Sequence, residues 1–264
     1  MSDDKHKAGL EMLRSQLAVM ETGVEQALQK RAQAARQLRE ALSASGDLLS
    51  MSMLSSLDRL AAVPVDQRGP VLQRWSAEFP ADMVACGLQK VIVSGGEPLR
   101  MWDHARSMFG HAMPMSVEND PRDVLNMCAE RDDCVGVFGW LSLVGALQWW
   151  PAFNEKRFHN LRIIGAWPLG EKDVPYTSIL ARGPLGPEVG ASTLLIAHDD
   201  HHKVGKIFSD VGIEGRELGR LQTLVLFEAM ERFPEDDIRL KAAKLAGLDG
   251  LRVIGALPAY SQPE

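Results

Sequence analysis

Residues 8–42 carry an unbroken apolar stripe, and this stripe restricts the fold more tightly than any other feature of the chain. Leu10, Leu13, Leu17, Met20, Val24, Leu28, Arg31, Leu38 and Leu42 recur at spacings of three and four or their sums. That period lines one face of a long amphipathic α-helix. The residues between them are largely Gln, Glu, Lys, Arg and Ala, good helix formers, and no proline intervenes. Ser43-Ala-Ser-Gly46 supplies a stop. A second, weaker helix is expected over 47–62, ending before Pro64. A third is expected over 66–89, where Pro80 should kink or break it.

The pattern changes at Lys90. A strand over 91–93 runs into Gly95-Gly96 and a helix over 99–109. Asp120-Pro-Arg-Asp opens another helix with an acidic N-terminus. A strand at 135–140, a short helix at 141–150 and a strand at 161–166 follow. Residues 170–190 are rich in Gly and Pro and are expected to form a connecting loop. Beyond Ala191 come a strand (192–198), a helix (203–211), two tightly joined strands (217–221 and 223–230), a helix (236–248) and a closing strand (251–257). The order βαββαβ predicts a ferredoxin-like sandwich. The expected class is therefore mixed α and α/β, in three regions: 1–90, 91–190 and 191–264. Leu161-Arg-Ile-Ile-Gly-Ala-Trp-Pro resembles Leu251-Arg-Val-Ile-Gly-Ala-Leu-Pro. Convergent strand chemistry and an echo of duplication both produce such a match.

Composition excludes several functions. The net charge of −6 argues against a general binder of nucleic acid or anionic membranes. The three cysteines, Cys86, Cys128 and Cys134, include no CxxC pair and give no zinc or disulfide framework, which fits a reducing, cytoplasmic setting. No apolar segment of signal-peptide type follows the polar N-terminus. Cys134–Asn154 contains no charged residue and is long enough to cross a bilayer. Gly136, Gly139, Gly145, Gln148 and Pro151 interrupt it, so a soluble strand and helix are expected instead. No cofactor or metal is implied.

Leu13-Arg14-Ser-Gln-Leu17, Glu21 and Leu28-Gln-Lys-Arg31-Ala resemble the first helix of the all-helical chorismate mutases. The remainder is similar, more faintly, to chains in which such a mutase precedes prephenate-dehydratase-like and ACT-like regions. Val91–Val93 with Gly95-Gly96, Gly136-Val-Phe-Gly and the final Leu251-Arg-Val-Ile-Gly-Ala-Leu-Pro carry that similarity. The resemblance implies a place in phenylalanine and tyrosine biosynthesis, with chorismate, a dianion, as substrate. It also implies a homodimer through the N-terminal helix.

The arginines can be read physically as well. Arg31 lies on the apolar stripe, where a structural ion pair or a snorkelling side chain is the plain account. Arg14 and Arg31 are 17 residues apart, roughly 25 Å along a helix, too far to share one small ligand. Two copies crossing antiparallel near Thr22 and Gly23 would bring Arg14 of one chain close to Arg31 of the other. The rearrangement of chorismate to prephenate needs no nucleophile or metal. It needs a clamp for two carboxylates and a donor to the ether oxygen, and guanidinium forks suit the clamp.

The family pattern is damaged here. Its lysine eleven residues after Arg31 is Leu42, with Arg39 the nearest substitute donor. The second helix offers Met51–Ser55 where charges are expected, with Asp58 and Arg59 nearby. The glutamine of the third helix falls at Cys86, with Gln89 one turn on. Weak or lost catalysis is expected, and a non-catalytic dimeric interaction or regulatory protein is the alternative. A dehydratase is a third reading, but its Thr-Arg-Phe signature is absent and Tyr176-Thr-Ser-Ile is the nearest stretch. His198-Asp-Asp-His-His202 is expected to be a solvated loop, because five consecutive side chains diverge. It lacks the Pro-Gly of amino-acid-sensing ACT turns. Gly95-Gly96 reads as a tight turn or an anion site at a helix start, and Trp140, Trp149 and Trp150 as core, an interface or a pocket wall.

Overall fold

A computed structural model describes residues 2–42, 56–57, 60, 62–141, 148–167, 176–185 and 191–258, some of them by backbone alone. Helix α1 spans Ser2–Leu42, as its stripe predicts. Helix α2 spans Val65–Ala85 and runs through Pro80 without a break, against the sequence expectation. Phe79 and Met83, on either side of the proline, are fully buried. That anchorage offsets the one hydrogen bond proline removes. Of the expected second helix, Ser56, Leu57 and Leu60 are helical and buried, and Ala62 lies in an exposed turn; the rest lies outside the described residues.

Nine strands form one continuous sheet: β1 (Lys90–Ser94), β2 (Met115–Val117), β3 (Cys134–Gly139), β4 (Leu161–Trp167), β5 (Thr177–Arg182), β6 (Ser192–His198), β7 (Gly215–Leu221), β8 (Leu224–Ala229) and β9 (Asp249–Leu257). Their order is β2-β1-β3-β5-β4-β9-β6-β8-β7. Strands β1, β2 and β3 are parallel, while β5 runs antiparallel between β3 and β4. Strand β5 lies in the segment expected to be a loop. Thr-Ser-Ile-Leu-Ala is a short buried run without alternation, and the Gly and Pro residues around it hide its strand character. The short edge strand β2 is likewise not foreshadowed by the sequence pattern. Helix α3 (Pro98–Phe109) joins β1 to β2, and α4 (Pro121–Glu130) joins β2 to β3. They pack on opposite faces of the sheet. Met101, Ala105 and Phe109 share a core with α2, whereas Val124, Leu125 and Cys128 share one with Trp149, Trp150 and Phe153.

From residue 191 the order is β6, α5 (Val204–Asp210), β7, β8, α6 (Ile238–Leu245), β9. The strand order β9-β6-β8-β7 is that of a ferredoxin-like sheet, with both helices over a third core around Phe208, Phe227 and Phe233. This unit continues into the rest of the sheet through β4 and β9, which are parallel neighbours. They are the two strands whose sequences resemble each other. Close approach there depends on glycine: a Cβ on Gly255 would lie 2.5 Å from the Ile163 carbonyl oxygen. The charge-free segment at Cys134 is strand β3, and Trp150–Asn154 is a 3-10 turn. Among the described residues no helix is long and apolar enough to cross a membrane.

Candidate functional site

In an open α/β sheet, ligands bind outside the carboxyl ends of strands where successive connections diverge to opposite faces. Here that point lies between β1 and β3. The Gly95-Gly96 turn leaves β1, Asn119-Asp120 follows β2, and Trp140 follows β3. Because β5 runs the other way, its first residues and Tyr176 just before it reach the same edge. This is how a residue far along the chain joins the turn after β1.

Tyr176 donates its hydroxyl hydrogen to Glu97 Oε2 at 2.7 Å and accepts from Arg100 at 2.6 Å. The Arg100 guanidinium also lies 3.4 Å from the centre of the phenol ring, and His104 stacks on the same ring at 5.3 Å between centroids. The bond to Glu97 holds the Tyr176 hydroxyl above the ordinary phenol range, helped by desolvation and opposed by Arg100. Burial lowers His104, and Arg100 lowers it further against Asp103. Carboxylate, phenol, guanidinium and imidazole thus form one hydrogen-bonding and stacking patch. Among the described residues it holds no nucleophile aligned with a base.

A cavity of about 560 Å³ opens on the other side of the same edge. Trp149, Pro151, Ala152 and Leu221 give it apolar walls, while Asn119, Asp120, Arg122 and Gln148 line its rim. Its size suits a small molecule. The α4 start is a poor anion seat, because Pro121 has no N–H and Asp120 already accepts from the Arg122 N–H at 2.8 Å. Trp149 donates to the Gly139 carbonyl at 3.1 Å and stacks on Phe138 at 4.4 Å. Ser94 and Ser178 flank Phe138 in the strand register, and among the described residues both buried hydroxyls have no partner. Unmet buried hydroxyls are costly and rare.

The residues singled out from the sequence fall elsewhere. Arg14 is exposed on α1. The side chains of Arg31, Arg39 and Leu42 lie outside the described residues, as do Met51–Ser55, Asp58 and Arg59. Cys86 is half-buried at the end of α2, and the Gln89 N–H donates to the Asp133 carbonyl. Ser178 is buried in β5, in the stretch nearest to the missing dehydratase signature.

The His198–His202 segment is not wholly a solvated loop. Asp199 is only 2% exposed; its carboxylate accepts from the N–H groups of Lys203 and Val204 and pairs with Arg220 at 3.0 Å. Those N–H groups open α5, so the Asp is a helix cap as well as an ion-pair partner. His198 contacts Asn154 and Thr223, while Asp200, His201 and His202 are exposed. Among the described residues no group of three or more His, Cys, Asp or Glu side chains is arranged to hold a metal. Glu97, Arg100, His104 and Tyr176 are not legible as a site in the sequence, because their only local signal is Gly95-Gly96.

The fold and site define a mixed α/β protein in which a parallel-stranded lobe with one antiparallel insertion is joined edge to edge with a ferredoxin-like unit. No family model and no curated protein matches the chain. Solved structures similar to it include GqqA, described as a novel type of quorum quenching acylase. It is 15% identical with a TM-score of 0.46, covering 65% of this chain and 95% of that one. The prephenate dehydratase of Streptococcus mutans is 15% identical with a TM-score of 0.44, covering 66% and 100%. The prephenate dehydratase of Arthrobacter aurescens, in complex with L-Phe, is 13% identical with a TM-score of 0.43, covering 66% and 92%.

Proposed function

We propose that this chain is a chorismate-mutase-like protein of aromatic amino-acid biosynthesis, dimeric through α1 and of vestigial turnover. The observation that carries the reading is the bare stripe of α1. Leu10, Leu13, Leu17, Met20 and Val24 are 44–70% exposed on the single chain. A helix about 60 Å long draws most of its stability from packing its apolar face. A second copy of the same helix is a fitting cover, because a two-fold crossing is self-complementary. Nothing lies within 4 Å of where a Cβ on Gly23 would stand, so the backbones can approach there. Arg14 then meets Arg31 of the partner subunit, and the two guanidiniums clamp the carboxylates of chorismate, with Arg39 as a makeshift donor to the ether oxygen.

Low turnover follows from Leu42, which cannot donate where the family has lysine. Loss of one such donor costs roughly 10²–10³ in rate. A second reading, a non-catalytic regulatory dimer on the same scaffold, is favoured by α2. Its Phe79 and Met83 are committed to the core beneath β1, so the helix that should complete a mutase pocket serves the sheet instead. A direct chorismate-to-prephenate absorbance assay separates the two. A slow rate abolished by Arg31→Ala supports vestigial catalysis, no rate above background supports the regulatory dimer, and a strictly monomeric protein by light scattering removes both.

A further inference from the structure

Cys128 and Cys134 are six residues apart, a spacing that marks no motif. The fold makes them a pair. Cys128 lies near the end of α4 and Cys134 is the first residue of β3, so the chain turns back and sets the strand beside the helix it follows. Both thiols enter the core those elements share, and the two sulfurs stand 3.9 Å apart. Gly136, two residues along β3, leaves the room for this approach: a Cβ there would lie 3.4 Å from the Cys128 sulfur. A disulfide holds its sulfurs about 2.0 Å apart, so each sulfur here need move only about 1 Å. A modest rotation about each Cα–Cβ bond supplies a shift of that size.

The two thiols are chemically unequal. The hydrogen bond with Cys128 holds the Cys134 thiol below its ordinary range, against burial and Asp133, and Arg131 and Lys90 help. The same bond, with burial, pushes Cys128 up. Lys90 is the register partner of Cys134 on β1, which fixes its charge beside that sulfur. Cys134 is thus the sulfur that ionises first and attacks, with Cys128 as its neighbour thiol. Both are buried, but the residues joining them, 129–133, are all half-buried or exposed. The Arg131 N–H donates to the Met127 carbonyl at 3.1 Å, Asn160 to the Ala129 carbonyl at 3.0 Å, and the Gln89 N–H to the Asp133 carbonyl at 2.8 Å. Fraying of this connection and the last turn of α4 admits a small uncharged oxidant without opening the core.

We propose that Cys128 and Cys134 are a redox-active pair that closes into a reversible disulfide when the protein meets a peroxide. The Cys134 thiolate attacks one oxygen of hydrogen peroxide. The O–O bond breaks, Cys134 becomes a sulfenic acid, and the departing hydroxide takes up a proton as water. The Cys128 sulfur then attacks the Cys134 sulfur, the S–O bond breaks, and the hydroxyl leaves with the Cys128 proton as a second water. Two thiols are oxidised and one peroxide is reduced; a small-molecule dithiol reverses the change. The pair stands on α4 and β3 and does not depend on the reading of α1. In the test, the reduced full-length protein is treated with hydrogen peroxide under conditions that oxidise free glutathione in the same vial. It is then quenched with catalase, unfolded, alkylated and mapped by mass spectrometry. The expected result is a Cys128–Cys134 cross-link, lighter by two hydrogens, in most chains, undone by dithiothreitol. Cys86→Ser should keep the cross-link and Cys134→Ser should lose it; should Cys134→Ser fail to fold, the map of the natural protein decides. Because the bond staples the end of α4 to β3, amide exchange over 129–133 should slow at least tenfold on oxidation and recover on reduction. Alkylation of both Cys128 and Cys134 after peroxide, oxidation of Cys134 without a cross-link, or exchange unchanged by oxidation would overturn the assignment.

Discussion

Replacing Asp199 by alanine removes three interactions at once. The carboxylate accepts from Lys203 N–H at 2.7 Å, from Val204 N–H at 3.1 Å and from Arg220 at 3.0 Å. Losing a helix cap typically costs about 1 kcal/mol. Breaking a buried ion pair costs about 3–5 kcal/mol when the partner is stranded. Arg220 is not stranded, because Glu217 still binds it at 2.7 Å and 3.0 Å, so the ion-pair part falls to about 1–2 kcal/mol. The sum of about 2–3 kcal/mol corresponds to a loss of roughly 5–10 °C in Tm for a chain of this size. Asp199→Asn keeps an acceptor for the N–H groups and loses only the charge, so its loss should be about half as large. Thermal melts followed by circular dichroism measure both. The pH dependence supplies a second check. Burial alone would raise the Asp199 carboxyl, but the N–H bonds and Arg220 outweigh it and hold it below the ordinary carboxylate value. Its contribution is therefore present above the unfolded value of about 3.9 and fades as pH falls through the lower folded value. The gap between wild type and Asp199→Ala should be full at pH ~6 and shrink below pH ~4. Equal losses in the two variants, or a gap that widens in acid, would refute the account of Asp199 as cap and ion-pair partner.

Other expectations are briefer. Leu17→Glu should dissociate the proposed dimer, read by light scattering at micromolar concentration, because it would put a charge into the proposed apolar seam. Gly255→Ala should lower Tm more than Gly165→Ala. The new Cβ meets backbone of Ile163 in the first case and the ends of the Leu57 and Ile179 side chains in the second. In the native protein a thiol reagent should label Cys86 first, since Cys128 and Cys134 are buried with their sulfurs 3.9 Å apart. All three should react in denaturant. Calorimetry with phenylalanine should give no micromolar binding, since the turn after Asp200 lacks Pro-Gly.

Local periodicity and capping signals determined most of the elements. The α1 stripe, the Asp120-Pro start of α4 and the βαββαβ order from residue 191 are all legible in the chain. Each depends on spacing within about a dozen residues. Other features were set by packing between distant segments. Pro80 stays helical because Phe79 and Met83 are held in the core. Thr177–Arg182 becomes a strand because β3 and β4 leave a gap that takes it. Asp199 leaves solvent because Arg220, on the second strand of the unit, neutralises it. Tyr176 reaches Glu97 only because β5 runs antiparallel to β3 and so to β1. The repeat at 161 and 251 is visible in the sequence, but its consequence is not. Only the pairing of β4 with β9 sets the two similar segments side by side, because strand order in a sheet is decided by the burial of whole faces and not by the residues of either strand alone.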